Sequence, residues 1–289
     1  MNKSYEVPVH AVEYFFDTIL LEYKYALTKL ESFGVKINPS SRLIVYKNKL
    51  EELVANEESL APTNDLYLFS HALREIIEII DITNILEGKI NEEEVNIIHE
   101  LPSGNFLPED DKNSMARDKQ YELWLKSFLL SRGIPAYIKE PDIFFEWEGS
   151  EYPIAAKRPK SQERLDTHIR SANSQLKPYT CGGLISISLD FLIRYSHVFP
   201  IVDSPMQAAK GMDSRFKEQY EFLMSKGSPL KKRINPKIIL GCLITGRQPY
   251  FSEVAGALSL ESRYELLVVE GEKHESLLRL REKISSFIT

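Results

Sequence analysis

Cysteine is rare in this chain, since Cys181 and Cys242 are the only two among 289 residues. Two thiols are too few for a disulfide framework or for a zinc site built on four thiolates. Long apolar runs are also missing, because no stretch approaches the roughly 20 residues of a membrane-spanning helix. The first residues lack the basic, apolar and small-residue order of a secretion signal. These absences predict a cytoplasmic protein with no membrane partner.

Several motifs of common enzyme classes are absent as well. The sequence contains no GxxxxGK[ST] loop, no GxSxG elbow and no HExxH pair, and its six histidines show no metal-ligand spacing. The signatures of P-loop NTPases, α/β-hydrolases and zinc metalloproteases are therefore missing. What is present is a composition typical of globular proteins, with 43% apolar and 27% charged residues.

The charge is distributed unevenly, although the net charge is only −6. Residues 1–113 carry 10 Lys+Arg against 21 Asp+Glu, whereas residues 114–289 carry 26 against 21. Segment 157–177 contains six Lys or Arg residues and only two acids. A basic patch attracts polyanions, while an acidic region suits protein contact or solubility. A solvated surface explains the same pattern equally well.

The first part of the chain has helical patterns. Apolar residues recur at helical spacing in three segments, 9–33, 42–58 and 65–87. Segment 101–113 then combines two prolines, a glycine and an acidic cluster, which is typical of a linker. We therefore predict an acidic helical region over 1–113 and a second domain over 114–289.

The periodicity changes in the second domain. Helical patterns cover 114–132, 161–177, 206–226 and 273–288. Strand patterns fall at 134–139, in both arms of 141–159, and at 183–191, 237–245 and 265–270. Because helices and strands interleave, the predicted fold class is α/β, with a mixed sheet flanked by helices.

One predicted hairpin, PDIFFEWEGSEYPIAAKRP at residues 141–159, brings an acid and a lysine together. Gly149-Ser150 suits a two-residue type II′ turn, which places Asp142 directly opposite Lys157. Strand side chains alternate between the two faces of a sheet. One face of the hairpin is therefore expected to hold Asp142, Phe144, Ala155 and Lys157.

Glu122 is a third polar residue that is expected to approach this pair. It lies on the apolar stripe of the helix predicted over 114–132, where an unpaired carboxylate is unfavourable. Carboxylates bind hard ions such as Mg²⁺, and a lysine can orient water or stabilise developing negative charge. Glu122, Asp142 and Lys157 thus suit phosphodiester hydrolysis. The alternative, which the spacing alone favours, is a cross-strand ion pair beside a buried glutamate.

The order of these elements over 114–191 resembles the PD-(D/E)xK nuclease superfamily, which has the restriction-endonuclease-like fold. The matching features are a helix with Glu122, a strand, Pro-Asp at Asp142, a hairpin, Lys157 and a helix ending in Gln-Leu. The resemblance implies a metal-dependent endonuclease in which Glu122 and Asp142 hold Mg²⁺, with Mn²⁺ as an alternative ion. It also implies that Lys157 is catalytic.

The helix after Lys157 is expected to present a polar face to the same cleft. Residues at helical spacing form this face: Arg164, His168, Ser171 and Gln175. The resemblance implies that Gln175 supports the site, and four residues are expected to contact nucleic acid: Arg158, Lys160, Arg164 and His168. An exposed amphipathic helix explains the spacing nearly as well.

One position departs from the family pattern. Ala155 stands two residues before Lys157, where the family has Asp or Glu as a central metal ligand. Three explanations stay open: an inactivated variant with alanine in place of the acid, migration of the acid to Glu146, or a catalytically inactive subunit that binds nucleic acid or a protein partner.

The expected partner is nucleic acid. The resemblance favours DNA, and RNA stays open because backbone contacts by Lys and Arg serve both polymers. The N-terminal helical region is expected to serve a protein partner or self-association. A role in bacterial antiviral defence is expected by analogy with compact nucleases of this fold.

Overall fold

A computed structural model describes residues 10–14, 16–55, 64–86, 90–193, 201–202, 205–225, 227–252 and 257–285. The helices are α1 (Phe16–Ser32), α2 (Arg42–Ala55), α3 (Asn64–Ile85), α4 (Glu92–Glu100), α5 (Met115–Ser131), α6 (Leu165–Leu176), α7 (Pro205–Met224), α8 (Pro229–Arg233) and α9 (His274–Ser285). The strands are β1 (His10–Tyr14), β2 (Ala136–Lys139), β3 (Asp142–Trp147), β4 (Ser150–Lys157), β5 (Gly183–Ser188), β6 (Ile201–Val202), β7 (Ile239–Ser252) and β8 (Ala257–Val268). The predicted α/β class is confirmed.

The strands form one mixed sheet with the order β1-β8-β7-β5-β4-β3-β2, and β6 pairs with β7. Strands β2, β3 and β4 are an antiparallel meander, and β4, β5 and β7 run parallel. The order α5-β2-β3-β4-α6-β5 is the helix, three strands, helix and strand that the sequence predicts over 114–191. This unit holds the residues of the predicted site.

The start of the chain differs from its predicted helix over 9–33. Residues 10–14 form strand β1, which pairs antiparallel with β8 at the edge of the sheet, and the helix begins only at Phe16. Five residues are too few to separate a period of 2.0 from one of 3.6. Residues 10–14 form a strand because β8 otherwise leaves unpaired backbone N–H and C=O groups at the edge of the sheet, and these pair with a further strand.

The N-terminal helices and the sheet share one hydrophobic core. Leu30 and Ile76 belong to the same cluster of buried side chains as Leu125 of α5 and Phe145 of β3. Burial of such side chains from water stabilises each by about 1.5–3 kcal/mol. The segment that we predict as a linker therefore joins two parts of the chain that bury apolar surface against each other.

A second cluster lies on the other face of the sheet and contains Ala155. It includes Ile185 of β5 and the buried stripe of α6, with Leu165 and Ile169 among its members. The neighbouring residue Ile154 belongs to the first cluster, as strand alternation requires. The end of β4 is thus enclosed by the sheet and by helices on both sides.

Candidate functional site

The β3–β4 turn differs from the one predicted. Trp147 pairs with Ser150, so the two turn residues are Glu148 and Gly149, with φ of 49° and 75°. Positive φ at both positions is the type I′ geometry, whose twist matches the flanking strands. Glu148 is held there by Arg279 of α9, with an Nε–Oε1 distance of 2.7 Å. The sequence of the hairpin alone does not show this tertiary contact.

The changed turn shifts the strand register by two residues. Ile143 pairs with Ile154, and continuing the register by one step places Asp142 beside Ala155 instead of Lys157. Because side chains alternate with a period of two, an even shift keeps every residue on its predicted face. Asp142, Ala155 and Lys157 therefore still share one face, although the predicted pairing was wrong.

Asp142 is the centre of the site. Its Oδ2 accepts hydrogen bonds from the backbone N–H of Ala156 at 2.8 Å and from Lys157 Nζ at 3.1 Å. Its Oδ1 lies 3.5 Å from Gln175 Nε2 on α6. Asp142 is buried, so these donors replace the water that a carboxylate needs. The structure thus brings Asp142, Lys157 and Gln175 together, as the sequence predicts.

Gln175 leaves one polar atom unsatisfied. Its amide nitrogen faces two acceptors, Asp142 Oδ1 and the carbonyl oxygen of Pro141 at 3.4 Å. The side-chain orientation follows, since only the NH₂ group can donate. Gln175 Oε1 is buried and accepts no hydrogen bond from any residue that the structure describes. Such an oxygen suits a bound water or a hard cation.

Glu122 also lies at this site. Only 5% of it is exposed, and Lys119 Nζ donates to both of its carboxylate oxygens at 2.9 and 2.8 Å. Burial and the charge of Asp142 outweigh Lys119 and Lys157 and raise the pKa of Glu122 to about 7. The charge of Asp142 thus disfavours the ionised form of Glu122.

The raised pKa of Glu122 predicts a pH-dependent stability. Between its ordinary pKa of 4.5 and the value of about 7, the folded protein holds a proton that the unfolded chain has released. Stability should therefore fall by up to roughly 3 kcal/mol as the pH rises through this window, relative to Glu122→Gln. Urea denaturation of both proteins at pH 5 and 7.5 measures the difference. Equal pH dependence in the two proteins would contradict this prediction.

Asp118 and His168 are polar residues of the site whose interaction the sequence analysis missed. Asp118 precedes Glu122 by one helical turn, and its Oδ2 accepts a hydrogen bond from Ser114 Oγ at 2.7 Å. Burial raises the pKa of Asp118. Burial also lowers the pKa of His168; the negative charge of Asp118 opposes this lowering, and the positive charge of Lys157 adds to it. The spacing of four residues from Glu122 is the signal that identifies Asp118.

The expected role of Arg158 in nucleic-acid contact was wrong. Its side chain is fully buried and donates to Glu78 Oε1 at 2.7 Å and to Asp190 Oδ2 at 3.2 Å. These acids come from α3 and from the loop after β5, so their proximity is a property of the tertiary structure. Arg164 is exposed, and Lys160 is half-buried with its Nζ 2.7 Å from the carbonyl oxygen of Pro108. Nucleic-acid contact by Lys160, Arg164 and His168 stays a prediction.

Glu146 does not replace the missing acid. It is exposed and pairs with Glu151 near the turn of the hairpin. It lies four positions along β3 from Asp142, a span of roughly 13 Å at about 3.3 Å per residue. Migration of the metal ligand to Glu146 is therefore not supported by the geometry.

The oxygen atoms at the site suit a hard cation, but few of them are available as ligands. Two carboxylates, Glu122 and Asp142, and the unsatisfied oxygen of Gln175 are oxygen ligands of the kind that Mg²⁺ prefers. Among the described residues no group of three His, Cys, Asp or Glu is arranged to hold a metal ion. Ala155, whose side chain has no ligand atom, is fully buried.

Comparisons of the chain with protein-family models, with curated proteins and with solved structures find no match. Within the described part of the chain, no helix has the length and apolar character needed to cross a membrane.

Proposed function

We propose that this chain is a metal-dependent nuclease of the PD-(D/E)xK type that hydrolyses phosphodiester bonds, most readily in DNA. The observation that carries the proposal is the contact of 3.1 Å between Lys157 Nζ and Asp142 Oδ2. This contact lies at the open end of the β3–β4 hairpin, and the charges of both residues act on the buried carboxyl group of Glu122.

The side chains divide the work of hydrolysis between them. Asp142 and Glu122 would hold Mg²⁺, with Gln175 Oε1 as a further oxygen ligand, and the bound ion would supply Lewis-acid polarisation of the phosphate and of water. Lys157 orients the attacking water and stabilises the negative charge that develops on the phosphate. Lys119 pairs with Glu122 in this structure, and its ammonium group would have to move away for the cation to bind there.

A second candidate function is a nuclease-fold subunit that binds nucleic acid or a protein partner without cutting. The packing at Ala155 favours it. Ala155 is fully buried in the cluster formed with α6, so its methyl group fills a position where an active member of the family has a carboxylate. Two carboxylates without the third hold a divalent ion less tightly.

Nicking of supercoiled plasmid with Mg²⁺ tests the two candidates, using the natural chain and Ala155→Glu. Because position 155 lies beside Asp142 in the observed register, the carboxylate introduced there would complete a set of three. We expect Ala155→Glu to cut DNA, with or without activity of the natural chain. Ser150→Glu, which adds an acid at the far end of the same strand, is the control and should leave the activity of the natural chain unchanged. No cleavage by the natural chain and none by a folded Ala155→Glu protein would exclude the nuclease and favour the binding subunit.

A further inference from the structure

A network of buried charges lies behind the site. Each of its members is almost completely removed from water, and together they connect α2, α3, α5, β4, the loop after β5 and β7. The arginines are Arg42, Arg74, Arg117, Arg158 and Arg247, and the acids are Glu75, Glu78 and Asp190. A network of this size fixes the elements that contribute to it, because each buried charge needs its partner at hydrogen-bonding distance.

Arg158 connects this network to the site. It follows Lys157 directly, at the point where β4 ends. Its guanidinium makes a two-point contact with Glu78, at 3.1 Å to Oε2 and 2.7 Å to Oε1. It also lies 3.4 Å from the backbone carbonyl oxygen of Arg117 on α5, the helix that carries Glu122. One side chain therefore joins the strand with Lys157 to the helix with Glu122.

Glu78 of α3 orients this guanidinium. It accepts from Arg158 and also from Arg247 of β7, whose Nη2 lies 2.5 Å from Glu78 Oε1. The planar guanidinium and the carboxylate match in a two-point geometry that a single contact would not fix. Without Glu78, Arg158 keeps Asp190 as its only acidic partner among the described residues.

We propose that Glu78 is a positioning residue of the site, acting through Arg158. It holds the end of β4 against α5, and so keeps Lys157 and the backbone N–H of Ala156 on Asp142. The N-terminal helical region thereby becomes part of the site, although it supplies none of the predicted ligands. The functional meaning of this positioning rests on the proposed function, whereas the positioning itself does not.

Backbone amide exchange measured by NMR tests the proposal, with the N–H of Ala156 as the reporter because it donates to Asp142 Oδ2. The main variant is Glu78→Met with Arg158→Met, which removes one acid and one arginine together, so that the buried charge stays balanced and Arg247 keeps Asp190 as its partner. Exchange at Ala156 should become roughly tenfold faster, as expected for loss of one hydrogen bond. Amides of the central strand β5 should be unchanged.

Two further variants separate positioning from general destabilisation. Glu78→Gln alone should speed exchange at Ala156 and lower stability as well, because Arg158 stays buried. Glu94→Gln removes a buried partner of Lys126 between α4 and α5 and should leave Ala156 unaffected. Unchanged exchange at Ala156 in the folded double variant overturns the proposal. Accelerated exchange supports it even if Ala155→Glu shows no cleavage, so the two proposals fail independently.

Discussion

Replacing Lys157 by methionine in the Ala155→Glu protein is expected to lower the rate of DNA cleavage by about 10²–10³-fold. Loss of one group that stabilises charge in a transition state has an effect of this size. Methionine keeps the length and the apolar stem of the side chain but removes the ammonium that contacts Asp142. Single-turnover cleavage of a defined duplex at saturating Mg²⁺ measures the loss.

Two comparisons make the Lys157→Met result specific. Lys157 is not assigned as a ligand of the ion, so the Mg²⁺ concentration for half-maximal rate should stay nearly constant in Lys157→Met and rise in Asp142→Asn. Lys126→Met removes another half-buried lysine, paired with Glu94 away from the site, and should cleave at close to the parent rate. A Lys157→Met protein that cuts as fast as its parent would exclude Lys157 from the chemistry.

The second large effect concerns the stability of the fold. Glu75→Gln should lower the free energy of unfolding by about 3–5 kcal/mol, because it leaves buried arginines without their acid. Burial alone would raise the pKa of Glu75, but Arg117 and Arg42 outweigh it and hold the pKa well below its usual range. Glu75 Oε1 accepts from Arg117 Nε at 2.7 Å, and Oε2 accepts from Tyr46 Oη at 2.8 Å.

An exposed ion pair of the same region supplies the control for Glu75→Gln. Glu51 lies 2.7 Å from Lys24, but both side chains are more than a third exposed. Glu51→Gln should therefore change the stability by at most about 1 kcal/mol. Urea denaturation at pH 7 compares the two variants with the natural chain. Similar small losses in both would show that the buried network does not depend on Glu75.

Several features of the site can be predicted from local sequence periodicity. Asp142 and Lys157 lie on one face because the alternation of side chains is a property of the strand backbone. The prediction of this shared face therefore holds although the predicted register was wrong by two residues. The buried position of Glu122 followed from helical periodicity. The apolar stripe of α6 packs on the sheet, and Gln175 lies next to this stripe on the surface of the helix. Its Nε2 therefore comes within 3.5 Å of Asp142 Oδ1.

Arg158 shows where this kind of inference fails. Its position in a basic segment gave it the appearance of a surface residue, yet its partners Glu78 and Asp190 lie 80 and 32 residues away in the chain. A charge is buried or exposed according to whether distant opposite charges reach it, and no local period encodes that. The contact of Glu148 with Arg279 of α9 likewise joins residues 131 positions apart, so the hairpin sequence alone does not show it.

Local periodicity was enough to predict the α/β class, the order of elements from α5 to β5, and the shared face of Asp142 and Lys157. These properties follow from periods of two and 3.6 residues, which the backbone imposes locally. Tertiary contacts set the strand register, the addition of β1 to the sheet and the burial of Arg158. Each of these depends on contacts between residues far apart in the chain, where packing and charge pairing choose among conformations that are locally equivalent.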